Sequence, residues 1–203
     1  MQLLALHSFS PIYGKQYAFQ LLHPQLLQTL ADKHNLLTLS TGDLVRWELT
    51  QRTVKGEAMR EIMDKGQLIP DEWIVDLFIN AATHRLRPDE RLVLINFPRT
   101  AEQQRLLEAK YRQPVASYYL YVSDDQVATT MVDEWTNNKN SSLRKLCSSR
   151  QELDGLLARQ LARKRKAEAY LEQLPSLRTI DVGGLEGGEV LALIEDILER
   201  TAG

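Results

Sequence analysis

Residues 92–103 read "LVLINFPRTAEQ", an apolar run that passes through Asn96, Phe97 and Pro98 into a polar segment. The run lacks strict polar alternation, which suits a strand covered on both faces. It belongs to a β-type stretch at Arg91–Phe97, the third of five; the others stand at Leu3–His7, Leu36–Ser40, Ser117–Val122 and Arg178–Val182. The intervals between them read largely as helix. Strands alternating with helices predict an α/β fold, a five-stranded parallel sheet with helices on both faces. In such sheets ligands gather beyond the carboxyl ends of the strands. Chemistry is therefore expected in "SFSPIYGK", "TGDLVR", "PRTAEQ" and "SDDQ", the segments that follow the first four runs.

The composition sets bounds on function. At 203 residues, 43% hydrophobic and 26% charged, the chain fits one globular domain with small inserted lobes. A net charge of −2 gives no reason to expect nucleic-acid wrapping or attachment to an anionic membrane. Cys147 is the single cysteine, so an internal disulfide and a thiolate zinc site are excluded, and a small, partly buried apolar role is expected for it. His7, His23, His34 and His84 are too far apart for a helical metal-ligand set, and no metal site is assigned. Neither a secretory leader nor a membrane-length apolar window is visible, so the expected location is cytoplasmic, or an organellar stroma or matrix after processing.

Helix starts are well marked. "STGDLVRWELTQ" opens on Ser, Thr and Asp, "PDEWIVDLFINAATHRL" on proline and two acids, and "SDDQVATTMVDEW" on two acids that favour the positive end of a helix dipole. Two stretches exceed simple crossovers. Residues 41–70 hold two short helical patterns before the helix at Pro70, which reads as an inserted lobe. Residues 136–149, "TNNKNSSLRKLCSS", are polar and basic and read as a mobile excursion or flap. The run "RQLARKRK" is expected to form a solvated helix face, and Trp47 and Trp73 to pack in the core.

Near the start, "SPIYGKQY" has the layout of a phosphate-binding loop with much of its glycine removed. Gly14 and Lys15 supply the last third of G-x-x-x-x-G-K-[ST], while Phe9 stands at the first glycine and Gln16 follows the lysine. Taken alone, the match is weak, and the segment reads first as a strand ending in a proline turn with a helix starting near Gly14.

"STGDLVR" at 40–46, "GEAMREIMDKGQLIPDEWIVDLF" at 56–78 and "NFPRTAEQ" at 96–103 resemble, in order and spacing, the monophosphate side of the adenylate kinase family. That family's segments run approximately S-T-G-D-x-x-R, G-x-x-A-x-x-I-M-D-x-G-x-L-V-x-D-E and D-G-F-P-R-T-x-x-Q. The resemblance covers essentially the whole chain. It implies a P-loop-type three-layer core, a monophosphate-binding lobe at 41–70 and a short lid at 134–150, both closing over nucleotides.

The resemblance also implies roles. In the acceptor half Thr41 and Arg46 would face the monophosphate, Arg99 would bind its phosphate, Gln103 the base edge, and Gln67, Leu68 and Ile69 would line the base pocket. Paired arginines suit phosphate oxygens, and a glutamine amide suits an adenine edge, so AMP is the expected ligand. In the donor half Gly14, Lys15, Gln16 and Tyr17 would form a degenerate ATP loop, with Lys15 and Arg99 as the catalytic cations. Ile12 stands where the family has glycine, which predicts another path for the loop. Tyr17 and Ile95 replace the threonine and aspartate that support magnesium, and Thr130 and Glu134 stand where the family places arginines. Arg150 is the candidate lid contact to phosphate. No tightly bound cofactor is expected, and Mg²⁺ would enter only with ATP.

Three functions fit this pattern. The first is a nucleotide-responsive binding or regulatory module, weak or inactive as a kinase, with AMP and a protein reading its small lobe as partners. The second is an active nucleoside monophosphate kinase that transfers phosphate from ATP to AMP. The third is an interaction scaffold without ligand.

Overall fold

The computed structural model describes residues 3–8, 12–13, 16–17, 24–112, 115–139 and 141–201. Five strands, β1 (Leu3–Ser8), β4 (Leu36–Ser40), β5 (Arg91–Ile95), β6 (Val115–Tyr121) and β7 (Leu177–Asp181), form one sheet in the order β4-β5-β1-β6-β7. Every pairing in it is parallel, with Leu6 opposite Ile95 and Tyr118, and Ser40 opposite Ile95. The five expected strands are all present, displaced by two residues or fewer at their ends. Two more, β2 (Ile12–Tyr13) and β3 (Gln16–Tyr17), pair antiparallel with each other.

Helices cover both faces because the central strands are apolar on both. Leu4 and Leu6 point to a core shared with α1 (Pro24–His34), α6 (Asp124–Asn137) and α9 (Gly187–Arg200). Leu3 and Ala5 point the other way, toward α4 (Asp71–Arg85) and α5 (Ala101–Tyr111). Phe97, just past β5, is fully buried in that second core and stacks on Phe78 of α4. Among the described residues no helix is long and apolar enough to cross a membrane.

The stretch 41–70 contains two helices. α2 (Thr41–Thr50) follows β4 without a break, because Ser40 ends the strand and caps the helix, its hydroxyl accepting from Asp43 N–H. Thr53 caps α3 (Val54–Asp64) through Gly56 N–H. Gly56 has to be glycine for α3 to approach α2, since a Cβ there would lie 2.7 Å from the Glu48 carbonyl oxygen. Gly66, at φ +68, ends α3 with Gly66 N–H on Met63 O and Gln67 N–H on Ile62 O, a Schellman pair that turns the chain toward Pro70.

Three expectations are corrected. Residues 141–149 do not stand off as an excursion: Leu143 in α7 (Ser142–Leu146) and Cys147 are buried in the core. Trp135 Nε1 also donates to Cys147 O at 2.8 Å. Burial pushes the Cys147 thiol pKa up. Trp47 is about half exposed rather than packed, lying under the Arg85 guanidinium, whereas Trp73 does pack against the second core.

The basic run on α8 (Arg150–Leu171) is not all solvated. Arg163, Arg165 and Lys166 are exposed, but Lys164 is 1% exposed. Its ammonium lies 2.8 Å from both Asp124 and Glu168, near the Tyr121 ring. Tyr119 completes the cluster by donating its hydroxyl to Glu168. Burial alone would lower the Lys164 pKa, but the hydrogen bonds to Asp124 and Glu168 outweigh it and raise it. Lysine spacing in sequence carries no sign of this; the packing of α8 over β6 creates it. Lys164→Ala removes the cation from two carboxylates and is expected to cost about 3 kcal/mol in urea unfolding. Arg163→Ala should stay within about 0.5 kcal/mol.

Candidate functional site

The site begins where β1, β5 and β4 end side by side. Parallel register puts Ile95 opposite both Leu6 and Ser40, so the residues that follow, Asn96, His7 and Thr41, emerge as neighbours at one edge of the sheet. Adjacent strands lie about 4.8 Å apart, which confines the three chain exits to a space of phosphate size.

The α2 side supplies a helix N-terminus and an arginine. Ser40 Oγ donates to Asp43 Oδ2 at 2.5 Å, and Asp43 Oδ1 accepts from Arg46 Nη2. Burial would raise the Asp43 pKa, but Ser40 and Arg46 hold it below the ordinary carboxylate value. Gly42 has no side chain to obstruct the guanidinium, and a Cβ there would lie 3.1 Å from Arg46 Nη1. Thr41 Oγ1 is buried and has no hydrogen-bond partner among the described residues. A hydroxyl in that condition at a helix N-terminus suits an incoming anion.

The β5 side supplies a second arginine, held at both ends. Arg99 Nε donates to Asn96 O at 2.8 Å, and Arg99 N–H donates to Gln103 Oε1 at 2.8 Å. Gln103 Nε2 donates to Asp71 Oδ1 at 2.6 Å, and Thr100 Oγ1 to Asp71 Oδ2 at 3.0 Å. Gln103 is 8% exposed, so its amide is oriented by fixed partners. Asp71 opens α4 two residues after Ile69, and its bonds tie the 67–69 loop to the start of α5. Leu68 is 91% exposed and Gln67 also exposed, while Ile69 packs against the second core. Phosphate-type and base-type groups therefore lie along one connected run.

Asp71 was not among the residues singled out from sequence. The acids of "PDEW" were readable as a favourable helix start, and only the meeting of α4 with α5 shows that one of them orients Gln103.

His7 adds an electrostatic feature. It is 2% exposed, and its Nε2, like Ser8 Oγ, has no hydrogen-bond partner among the described residues. Burial, and after it the charge of Arg99, pushes the imidazole pKa down to about 3. The ring is neutral at physiological pH beside a permanently charged guanidinium.

The donor side is differently equipped. Gly14 and Lys15 lie outside the described residues. Gln16–Tyr17 is a strand, and α1 is described from Pro24, so a helix start near Gly14 lies outside the described residues. Ile95 is buried in the core. It offers no carboxylate where the family's aspartate would support magnesium, so the residues at this strand end do not fit that ion. Thr130 and Glu134, a threonine and a carboxylate where the family has two arginines, line an open groove with Asp133, Asn137 and Asn138. Arg150 caps no phosphate-type cluster among the described residues; its Nε pairs with Asp154 Oδ1 at 2.9 Å on the exposed face of α8. No group of three or more metal-ligating side chains occurs among the described residues.

The family described as adenylate kinase matches residues 25–173. The chain is 30% identical over 93 residues to adenylate kinase isoenzyme 1 of Homo sapiens, covering 46% of this chain and 48% of that protein. It is 38% identical over 79 residues to the adenylate kinase of Clostridium novyi, covering 39% and 36% respectively. With the adenylate kinase of Corynebacterium urealyticum it shares 34% identity over 121 residues, 57% of this chain and 65% of that one. The matched region thus spans from about a third to two thirds of these relatives, and about half of the human protein.

The buried His7 yields a pH prediction. Its folded pKa is about 3 against an ordinary value of 6.5, so between those values the unfolded chain binds one more proton. Its contribution is fully present above pH 6.5 and declines as pH falls toward 3, by about 1.4 kcal/mol per unit. Urea midpoints of the wild type and His7→Gln, compared from pH 7.5 to pH 4, should diverge with that slope. Parallel profiles would contradict it.

Proposed function

Because the chain belongs to the adenylate kinase family, we propose that it binds a nucleoside monophosphate, AMP by the chemistry of its base end, and transfers phosphate weakly or not at all. The observation that carries this reading is the hydrogen-bonded run from Asn96 through Arg99 and Gln103 to Asp71, with Thr41 Oγ1 buried and without a partner among the described residues. In this reading Thr41, Arg46 and Arg99 take the phosphate, while Gln103 and residues 67–69 take the base. Residues 41–70 act as the monophosphate-binding lobe, and 134–150, docked on the core through Leu143 and Cys147, as a short lid.

The donor half supports weak activity. Phosphoryl transfer depends almost wholly on positioning and charge stabilisation. Loss of one preorganised donor costs about 10² to 10³ in rate. Ile95, Thr130 and Glu134 in place of charged or metal-supporting groups predict a combined loss of at least about 10⁴ on the same scale. The protein then serves as a nucleotide-responsive module: AMP biases the 41–70 lobe toward closure, and a protein partner reads that lobe.

A second reading, an active nucleoside monophosphate kinase, is favoured by one observation, that the matched relatives are themselves named adenylate kinases. There Lys15 and Arg99 would carry the transferred phosphate, and ATP would bring Mg²⁺ with it.

Calorimetry with AMP and with ATP·Mg²⁺ separately addresses the two halves. AMP is expected to bind below millimolar, and Arg99→Ala to weaken it about tenfold or more, the worth of a charge-assisted hydrogen bond. Absence of binding at millimolar AMP would sink the module reading. In a coupled ADP-formation assay, turnover above about 1 s⁻¹ that Lys15→Ala abolishes would establish the kinase instead.

A further inference from the structure

Asn96 stands one residue beyond β5, at φ +53, in the left-handed region. The family pattern D-G-F-P-R-T has glycine at this place. Asparagine is among the few other residues that adopt this backbone readily. It keeps the turn and adds an amide that glycine lacks.

All the polar groups of Asn96 named by the structure join two chain segments. Its backbone N–H donates to Leu6 O at 2.8 Å, and its side-chain Oδ1 accepts from Ser8 N–H at 2.9 Å. Its backbone O accepts from Arg99 Nε at 2.8 Å. Ser8 is the last residue of β1, directly before the segment that carries Lys15. Arg99 is the phosphate arginine of the acceptor half. One residue therefore holds the base of the lysine segment and the arginine together, and Gln103 holds the other end of Arg99.

We propose that Asn96 is a positioning residue for the monophosphate site, coupling the end of β1 to Arg99 and keeping the guanidinium in its phosphate-binding orientation. The proposal rests on the monophosphate reading above. Arg99 is exposed, and a long exposed side chain loses rotamer freedom when it binds. A guanidinium already fixed at Nε loses less, which is the source of the affinity. The side-chain bond to Ser8 restrains the Asn96 peptide that carries the accepting oxygen. Freeing that bond loosens Arg99 without altering the arginine itself.

Asn96→Gly is the direct test, because glycine keeps the left-handed backbone and deletes only the amide. In the ligand-free protein, hydrogen exchange at the Ser8 amide should rise about tenfold, with neighbouring β1 amides unchanged. AMP affinity should fall about three- to tenfold, the worth of one net hydrogen bond. Adenosine, which lacks the phosphate, should bind as before. In an Arg99→Ala background the same substitution should have no further effect on AMP. Unchanged Ser8 exchange overturns the proposal, as does equal loss for AMP and adenosine, or a loss that adds to that of Arg99→Ala. Failure of the unmodified protein to bind AMP overturns the monophosphate reading and the affinity role with it, while Ser8 exchange still decides whether the tie between β1 and β5 exists.

Discussion

The parallel pairing of β1 with β5 is the constraint on which the site depends. Leu6 opposite Ile95 places the exits of both strands at one level, so that Asn96 N–H reaches Leu6 O and Ser8 N–H reaches Asn96 Oδ1. A one-residue slip would turn every side chain of one strand to the other face. A slip of β5 would take Ile95 out of the core it shares with Leu6, and Phe97 would lose its place against Phe78. The apolar burial on both sides of the sheet is what holds the register, and the register is what aligns the polar groups beyond it.

From that edge the acceptor half is assembled by helix starts. α2 is capped by Ser40, α5 by Thr100, and α4 opens on Asp71, and each cap or acid also orients a site group. Ser40 and Asp43 engage Arg46, Thr100 shares Asp71 with Gln103, and Gln103 holds Arg99. The same interactions that end orphaned backbone donors at helix N-termini thus preorganise the side chains. On the donor side the corresponding places hold an apolar core residue, a threonine and a carboxylate.

The strands and most helix starts were legible because they rest on local patterns: apolar runs of five to seven residues, and Ser, Thr or acids before a helical period. The family was legible through ordered motifs, those that contain Arg46, Arg99 and Gln103. Lys164 was not, since its burial arises where α8 crosses β6 and meets Asp124 across about forty residues of chain. The exposure of Trp47 was not legible, because the helical period of α2 does not reveal which flank lies against the sheet. The polar composition of 136–149 suggested an excursion, yet two well-spaced apolar residues, Leu143 and Cys147, suffice to dock it.

The sequence by itself determined the parallel α/β class and the order of the motifs that carry the family resemblance. It also determined that the donor half lacks the metal-supporting aspartate, since Ile95 is a matter of residue type. Only the tertiary structure decided that Arg99 is held by Asn96 and Gln103, that Asp71 orients the glutamine, and that His7 is buried and neutral beside the arginine. These depend on register and on helix-to-helix contact, and such contacts join residues far apart in the chain whose meeting no local pattern specifies.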